Sequence, residues 1–123
     1  MMKELLFVFF GGGMGSVARY GVAQLLKPVS VLWHGFPIHT LTANMAGCLL
    51  IGVLMGVFSK HPDQALSLLV VTGFCGGFTT FSTFSSECVA LFRSGDSGLG
   101  LLYAAVSLAV CLLFAAVGYA VVK

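Results

Sequence analysis

VTGFCGGFTTFSTFSSE, residues 71 to 87, sits inside an apolar run from about Leu66 to Phe92 that is long enough to cross a bilayer. Its make-up does not suit a passive anchor. Gly73, Gly76 and Gly77 stand where a helix favours Ala or Leu, at a cost of about 1 kcal/mol each, and a dense run of Thr and Ser follows. A helix interrupted within hydrocarbon leaves amides and carbonyls without partners, which is tolerated only where they are buried in protein or line a polar cavity. The stretch therefore reads as a transmembrane helix broken in mid-membrane and built around an ion.

Outward from this segment, the chain has too little charge to solvate a globular surface: of 123 residues 59% are apolar and 8% charged, with mean hydropathy +1.05. Lys3, Glu4, Lys27, Lys60, Asp63, Arg93, Asp96 and Lys123 fall at the edges of four apolar runs, Leu5 to Leu26, Pro37 to Phe58, Leu66 to Phe92 and Leu99 to Val122. Each is near or above the ~20 residues a spanning helix needs. The expected fold is an all-α membrane protein, one domain over residues 1–123 with four transmembrane helices and both termini on one side. The first run is too long for the core of a signal peptide and is expected to be retained.

Orientation is normally set by an excess of Lys and Arg on cytoplasmic loops. Here Lys3, Lys60 and Lys123 lie on one side, and Lys27, Arg93 and Arg19 on the other or near it, so the charges give no bias. Either a short chain carries a weak signal, or copies insert both ways round and pair as an antiparallel, dual-topology homodimer. Four helices leave little room for a pore within one chain, so oligomerisation is expected in either case.

In the first run, Gly13, Gly15 and Ala18 imitate a dinucleotide loop, but no acidic residue follows at the distance a ribose requires. Gly11 and Gly15 read better as a small-residue face for close helix packing. Arg19 either snorkels to the interface or adds positive potential at an anion entrance. The second run opens with FPIHTLTAN, where Pro37 suits a first turn. Thr40 and Asn44 share a face with Gly47, as interhelical glue or as a ladder of donors able to replace water around a small anion, while Gly52 and Gly56 form a GxxxG pair elsewhere on the helix.

Beyond the glycines, Phe81 and Phe84 lie on one helical face, and Thr79, Thr83 and Ser86 form a second stripe. Phenylalanine at this spacing usually packs; beside a break its electropositive ring edge can also contact a partly dehydrated anion. Glu87 reads as a boundary charge or a salt-bridge partner. Tyr103 and Ser107 in the last run share a face continued by Cys111 and Phe114. Cys48, Cys75, Cys88 and Cys111 show no metal-ligand spacing and read as small packing residues. His34, His39 and His61 fall near loop ends. With no Ser, His and acid set and no paired carboxylates, an enzyme is not expected, nor is a nucleic-acid partner.

GGFTTFSTFS, together with GGGMGSVARY in the first run and HTLTAN in the second, closely resembles the Fluc family of fluoride channels, the CrcB proteins, over essentially the whole chain. The resemblance implies dual-topology dimers of four-helix subunits with two antiparallel fluoride pores and a structural sodium ion, not transported, at the broken third helix. Carried across by motif, the sodium would be held by the backbone carbonyls of Gly76 and Thr79 from each of two subunits. Phe81 and Phe84 would line the fluoride pathway with Asn44, and Thr40, Arg19, Ser82, Thr83, Tyr103 and Ser107 match further polar or vestibule positions.

The expected function is accordingly passive, fluoride-specific export across the cell (inner) membrane, relieving fluoride toxicity. Fluoride is small and strongly hydrated, so a path through low dielectric must supply hydrogen-bond donors almost continuously without binding the ion too tightly to release it. A rival is a small dual-topology proton-coupled multidrug exporter, which shares the size and the balanced charge but needs a membrane-embedded carboxylate; Glu4 and Glu87 lie near the ends of their runs. A third reading is an assembly subunit with no transport of its own.

Overall fold

The computed structural model describes residues 1–32 and 35–122, with the side chains of residues 30 to 32 set aside, and is helical with no strand among the described residues. The elements are α1 (Met2–Leu32), α2 (Ile38–Lys60), α3 (Gln64–Ser67), a π-helical segment (Leu68–Cys75), α4 (Gly76–Phe78), α5 (Phe81–Arg93) and α6 (Ser97–Val122). Four helical stretches are long and apolar enough to cross a membrane: Met2–Val29, Ile38–Lys60, Gln64–Arg93 and Ser97–Val122. The chain is a multi-pass membrane protein. His34 and Lys123 lie outside the described residues.

The runs marked out by charge were drawn slightly short. Helix α1 continues past Lys27 and through Pro28, so neither residue ends it. The third span starts at Gln64 because Asp63 caps it, its Oδ1 accepting from the Leu66 amide at 3.0 Å. Pro37 precedes the first helical residue of α2 instead of lying within its first turn. Helix α5 closes on Gly95 at φ +90, with Asp96 N donating to Leu91 O at 2.9 Å and Gly95 N to Phe92 O at 3.3 Å. That paired closure needs the left-handed conformation glycine adopts without strain.

Two pairs of parallel helices make the fold. α1 runs beside the first half of the third span: Gly11 faces the Leu69 carbonyl and Gly73 Cα, Gly15 faces the Phe74 carbonyl and the Phe78 amide, and Gly77 faces the Gly12 carbonyl. A methyl at any of these would collide with main chain, so Gly73 and Gly77 serve close approach. In the second pair, α2 packs along α6, with Gly52 against the Ala115 carbonyl, Gly56 against Val122 and Gly118 against the Leu49 carbonyl. Van der Waals packing is the main attraction between helices surrounded by lipid, and small residues bring backbones close enough to gain it.

The break does not fall at the glycines. Gly73 lies in the π-helical segment and Gly76 and Gly77 in α4. Extended backbone appears at Thr79 (φ −86, ψ 155) and Thr80 (φ −151, ψ 124), about midway along Gln64–Arg93. Thr79 therefore does not belong to α5, and the stripe expected with Thr83 and Ser86 loses its first member. The hydroxyls explain the position: Thr80 Oγ1 accepts from the Thr83 amide at 3.1 Å and starts a new helix, while Thr79 Oγ1 donates to Cys75 O at 2.8 Å and closes the old one.

Candidate functional site

A continuous helix would pair each carbonyl with the amide four residues on. The Thr79 amide keeps its helical bond to Cys75 O at 2.9 Å, but from Thr80 on the pairs are exchanged for side chains. The Thr80 amide donates to Asn44 Oδ1 at 2.9 Å and Asn44 Nδ2 donates to Thr80 O at 3.3 Å, so one amide side chain from α2 satisfies both main-chain groups of a residue in the break. Arg19 Nε donates to Gly77 O at 3.2 Å. The guanidinium is held by protein and does not snorkel freely; it ties α1 to α4, and this contact leaves the reading of Arg19 as positive potential at an anion entrance open.

Carbonyls ahead of α5 lose their helical donors at the break, Gly76 and Thr79 among them. The donor due to Gly76 is the Thr80 amide, which is held by Asn44, and the donor due to Thr79 is the Thr83 amide, which is held by Thr80 Oγ1. Gly76 is exposed on the single chain. These are the two residues whose carbonyls the family resemblance assigned to a cation.

Beside the break lies a cleft of about 260 Å³, with Asn44, Thr79, Thr80, Phe81, Phe84 and Ser107 among its lining. The Phe81 and Phe84 rings are 5.6 Å apart, centre to centre, and Phe81 is 75% exposed. Ser107 is buried, and its hydroxyl has no hydrogen-bond partner among the described residues. A desolvated hydroxyl in that state costs free energy unless a ligand or water completes it. Ser82 and Thr83 stand in the first turn of α5, within 3.3 and 3.2 Å of Thr80 Oγ1.

Further along the same side, Thr40 Oγ1 donates to Glu87 Oε2 at 2.8 Å and Tyr103 OH to Glu87 Oε1 at 2.9 Å, with His39 Nε2 3.2 Å from Oε2. Tyr103 is fully buried, and its ring lies 5.1 Å from that of Phe84, which joins this cluster to the cleft. Asn44, Phe81, Phe84 and Ser107 thus come together, Thr40 and Tyr103 gather one step away, and Arg19 meets Gly77 instead of lining the cleft. Thr80 and Cys48 were not expected as site residues, and Glu87 was expected only as a boundary charge or a salt-bridge partner. The available signal for Glu87 was its position in an apolar run that also carries the hydroxyl segment.

The class this defines is a multi-pass membrane protein with an interrupted span clamped by a neighbouring helix and a small polar-and-aromatic cleft beside the interruption. The chain belongs to the CrcB family: the family model described as CrcB-like protein, Camphor Resistance (CrcB), matches residues 6–119. It is 47% identical over 110 residues to the fluoride-specific ion channel FluC of Cronobacter sakazakii, covering 88% of this chain and 84% of that one. To the protein of the same name from Pectobacterium atrosepticum it is 44% identical over 124 residues, 99% of this chain and 95% of that one. The name is that of a channel, not of an enzyme.

Proposed function

We propose that the chain is a fluoride-specific channel that lets fluoride leave the cytoplasm passively, working in the inner membrane as an antiparallel, dual-topology homodimer. The observation that carries this reading is the cleft: an unpartnered Ser107 hydroxyl, the Asn44 amide and two phenylalanine rings line it at the start of α5. Hydroxyl, amide and ring edge are donors that offer a small anion partial replacement for water and no fixed cation to trap it. The first turn of α5 adds a partial positive charge. The name shared by the curated relatives supports the choice of anion.

A structural sodium ion fits the other half of the break. The Gly76 and Thr79 carbonyls, freed of their helical donors, are hard oxygen ligands at a helix C-terminal end, the kind of group that holds sodium in interrupted membrane helices. Two such carbonyls from each of two subunits make four, and an ion there would offset the cost of leaving them without partners in apolar surroundings. When bound, it supplies a fixed positive centre and a clamp between subunits. The exposure of Gly76 and Phe81 on the single chain supports a second copy covering this face.

The rival exporter needs a carboxylate free to exchange protons. Glu87 accepts hydrogen bonds from two neighbouring hydroxyls, which favours a held group over an exchanging one. The experiment is release of fluoride from liposomes carrying the purified chain, read with a fluoride electrode. Rapid release against protein-free liposomes supports the channel, and release no faster than theirs overturns it.

A further inference from the structure

The register that sets Asn44 beside Ser107 repeats along the α2–α6 contact. Thr40 and Tyr103 share the Glu87 carboxylate at one end, and Gly52 meets Ala115 towards the other. Four-residue steps in two parallel helices place Cys48 opposite Cys111 between them. Both cysteines line the cleft, and both are free and partly exposed. Cys75 is only 1% exposed. Among the described residues no third His, Cys, Asp or Glu joins them in a set able to hold a metal ion.

We propose that Cys48 and Cys111 form a two-coordinate site for a soft divalent metal ion, with Hg(II) as its probe, and that the bound ion closes the cleft. Each thiol gives up its proton and forms one sulfur–metal bond, so two protons leave, the product is RS–Hg–SR and no oxidant is needed. Thiolates select soft metals, and metal binding releases the ligand protons. The bis-thiolate of a divalent ion is neutral, which suits a site flanked by Phe84 and Leu108. Zn(II), which takes four ligands in structural sites, finds only two here. The blocking effect rests on the proposed anion path; the metal site does not.

Native mass spectrometry of the full chain treated with HgCl2 separates the outcomes. A bridged ion adds one Hg and removes two hydrogens, whereas a single cysteine adds HgCl and removes one. The bridged adduct is expected in the unaltered protein and in Cys88→Ala, and is expected to be lost in both Cys48→Ala and Cys111→Ala. Where one of these two yields no folded protein, the other decides. Singly bound adducts alone, or a bridged adduct that survives either substitution, overturn the site. In liposomes HgCl2 is expected to abolish most fluoride release, reversed by dithiothreitol and absent in Cys111→Ala relative to that variant's own untreated rate. A bridged ion that leaves release unchanged overturns the block. Failure of untreated protein to release fluoride counts against the channel alone, because the mass reading requires no flux.

Discussion

Asn44 and Thr80 hold each other by two hydrogen bonds across the α2 contact, Thr80 N to Asn44 Oδ1 at 2.9 Å and Asn44 Nδ2 to Thr80 O at 3.3 Å. An interrupted membrane helix is stable only if its stranded groups find partners, and this one side chain satisfies two of them. Asn44→Ala leaves both without that partner, at about 1–3 kcal/mol each. The expected result is a lower thermal unfolding midpoint in detergent and fluoride release reduced well below that of the unaltered chain. An unchanged midpoint and rate together would show that the clamp is dispensable.

Phe81 and Phe84 line the cleft, and the proposed channel uses their ring edges as contacts for the anion. Phe81→Ile or Phe84→Ile should therefore depress fluoride release while the subunits stay associated, as read by size-exclusion chromatography beside the flux assay. Full-rate release in both variants would remove the ring edges from the path.

Gly15 tests the close approach of α1 to the third span. A side chain there meets the Phe74 carbonyl and the Phe78 amide, while nothing lies within 4 Å of a methyl placed at Gly13. Gly15→Val should cost about 1–3 kcal/mol or prevent assembly, and Gly13→Ala should leave the unfolding midpoint close to its original value. Equal tolerance at the two positions would contradict the packing described for α1.

The four spans were legible because long apolar runs and edge charges follow directly from what hydrocarbon excludes. The close-packing roles of Gly11 and Gly15 were legible for a similar reason. That the Gly/Thr segment is interrupted just ahead of Phe81 was legible too; the residues that carry the interruption were not, since helix propensity points to Gly73, Gly76 and Gly77, all helical, while the extended backbone is at Thr79 and Thr80. Thr80 escaped notice because its importance comes from Asn44, 36 residues away. Glu87 was read as a boundary charge or a salt-bridge partner because nothing local reveals that Thr40 and Tyr103 converge on it. Cys48 and Cys111 stand alone in the sequence and become a pair only through the register of α2 on α6.

Sodium removal probes the freed carbonyls of Gly76 and Thr79. Purification and reconstitution with sodium replaced by a bulky organic cation should lower fluoride release, and restoring sodium should recover it. Release that ignores sodium at every stage would remove the ion from the account, leaving the cleft to stand on its other evidence.

The central claim is that the cleft between α2, α5 and α6 belongs to a path suited to fluoride in particular. The most direct measurement compares the release of fluoride and of chloride from liposomes of the same preparation, each read with its own electrode at matched protein density. Fast fluoride release with chloride release near the protein-free rate is the predicted result, and comparable rates for the two anions would contradict it.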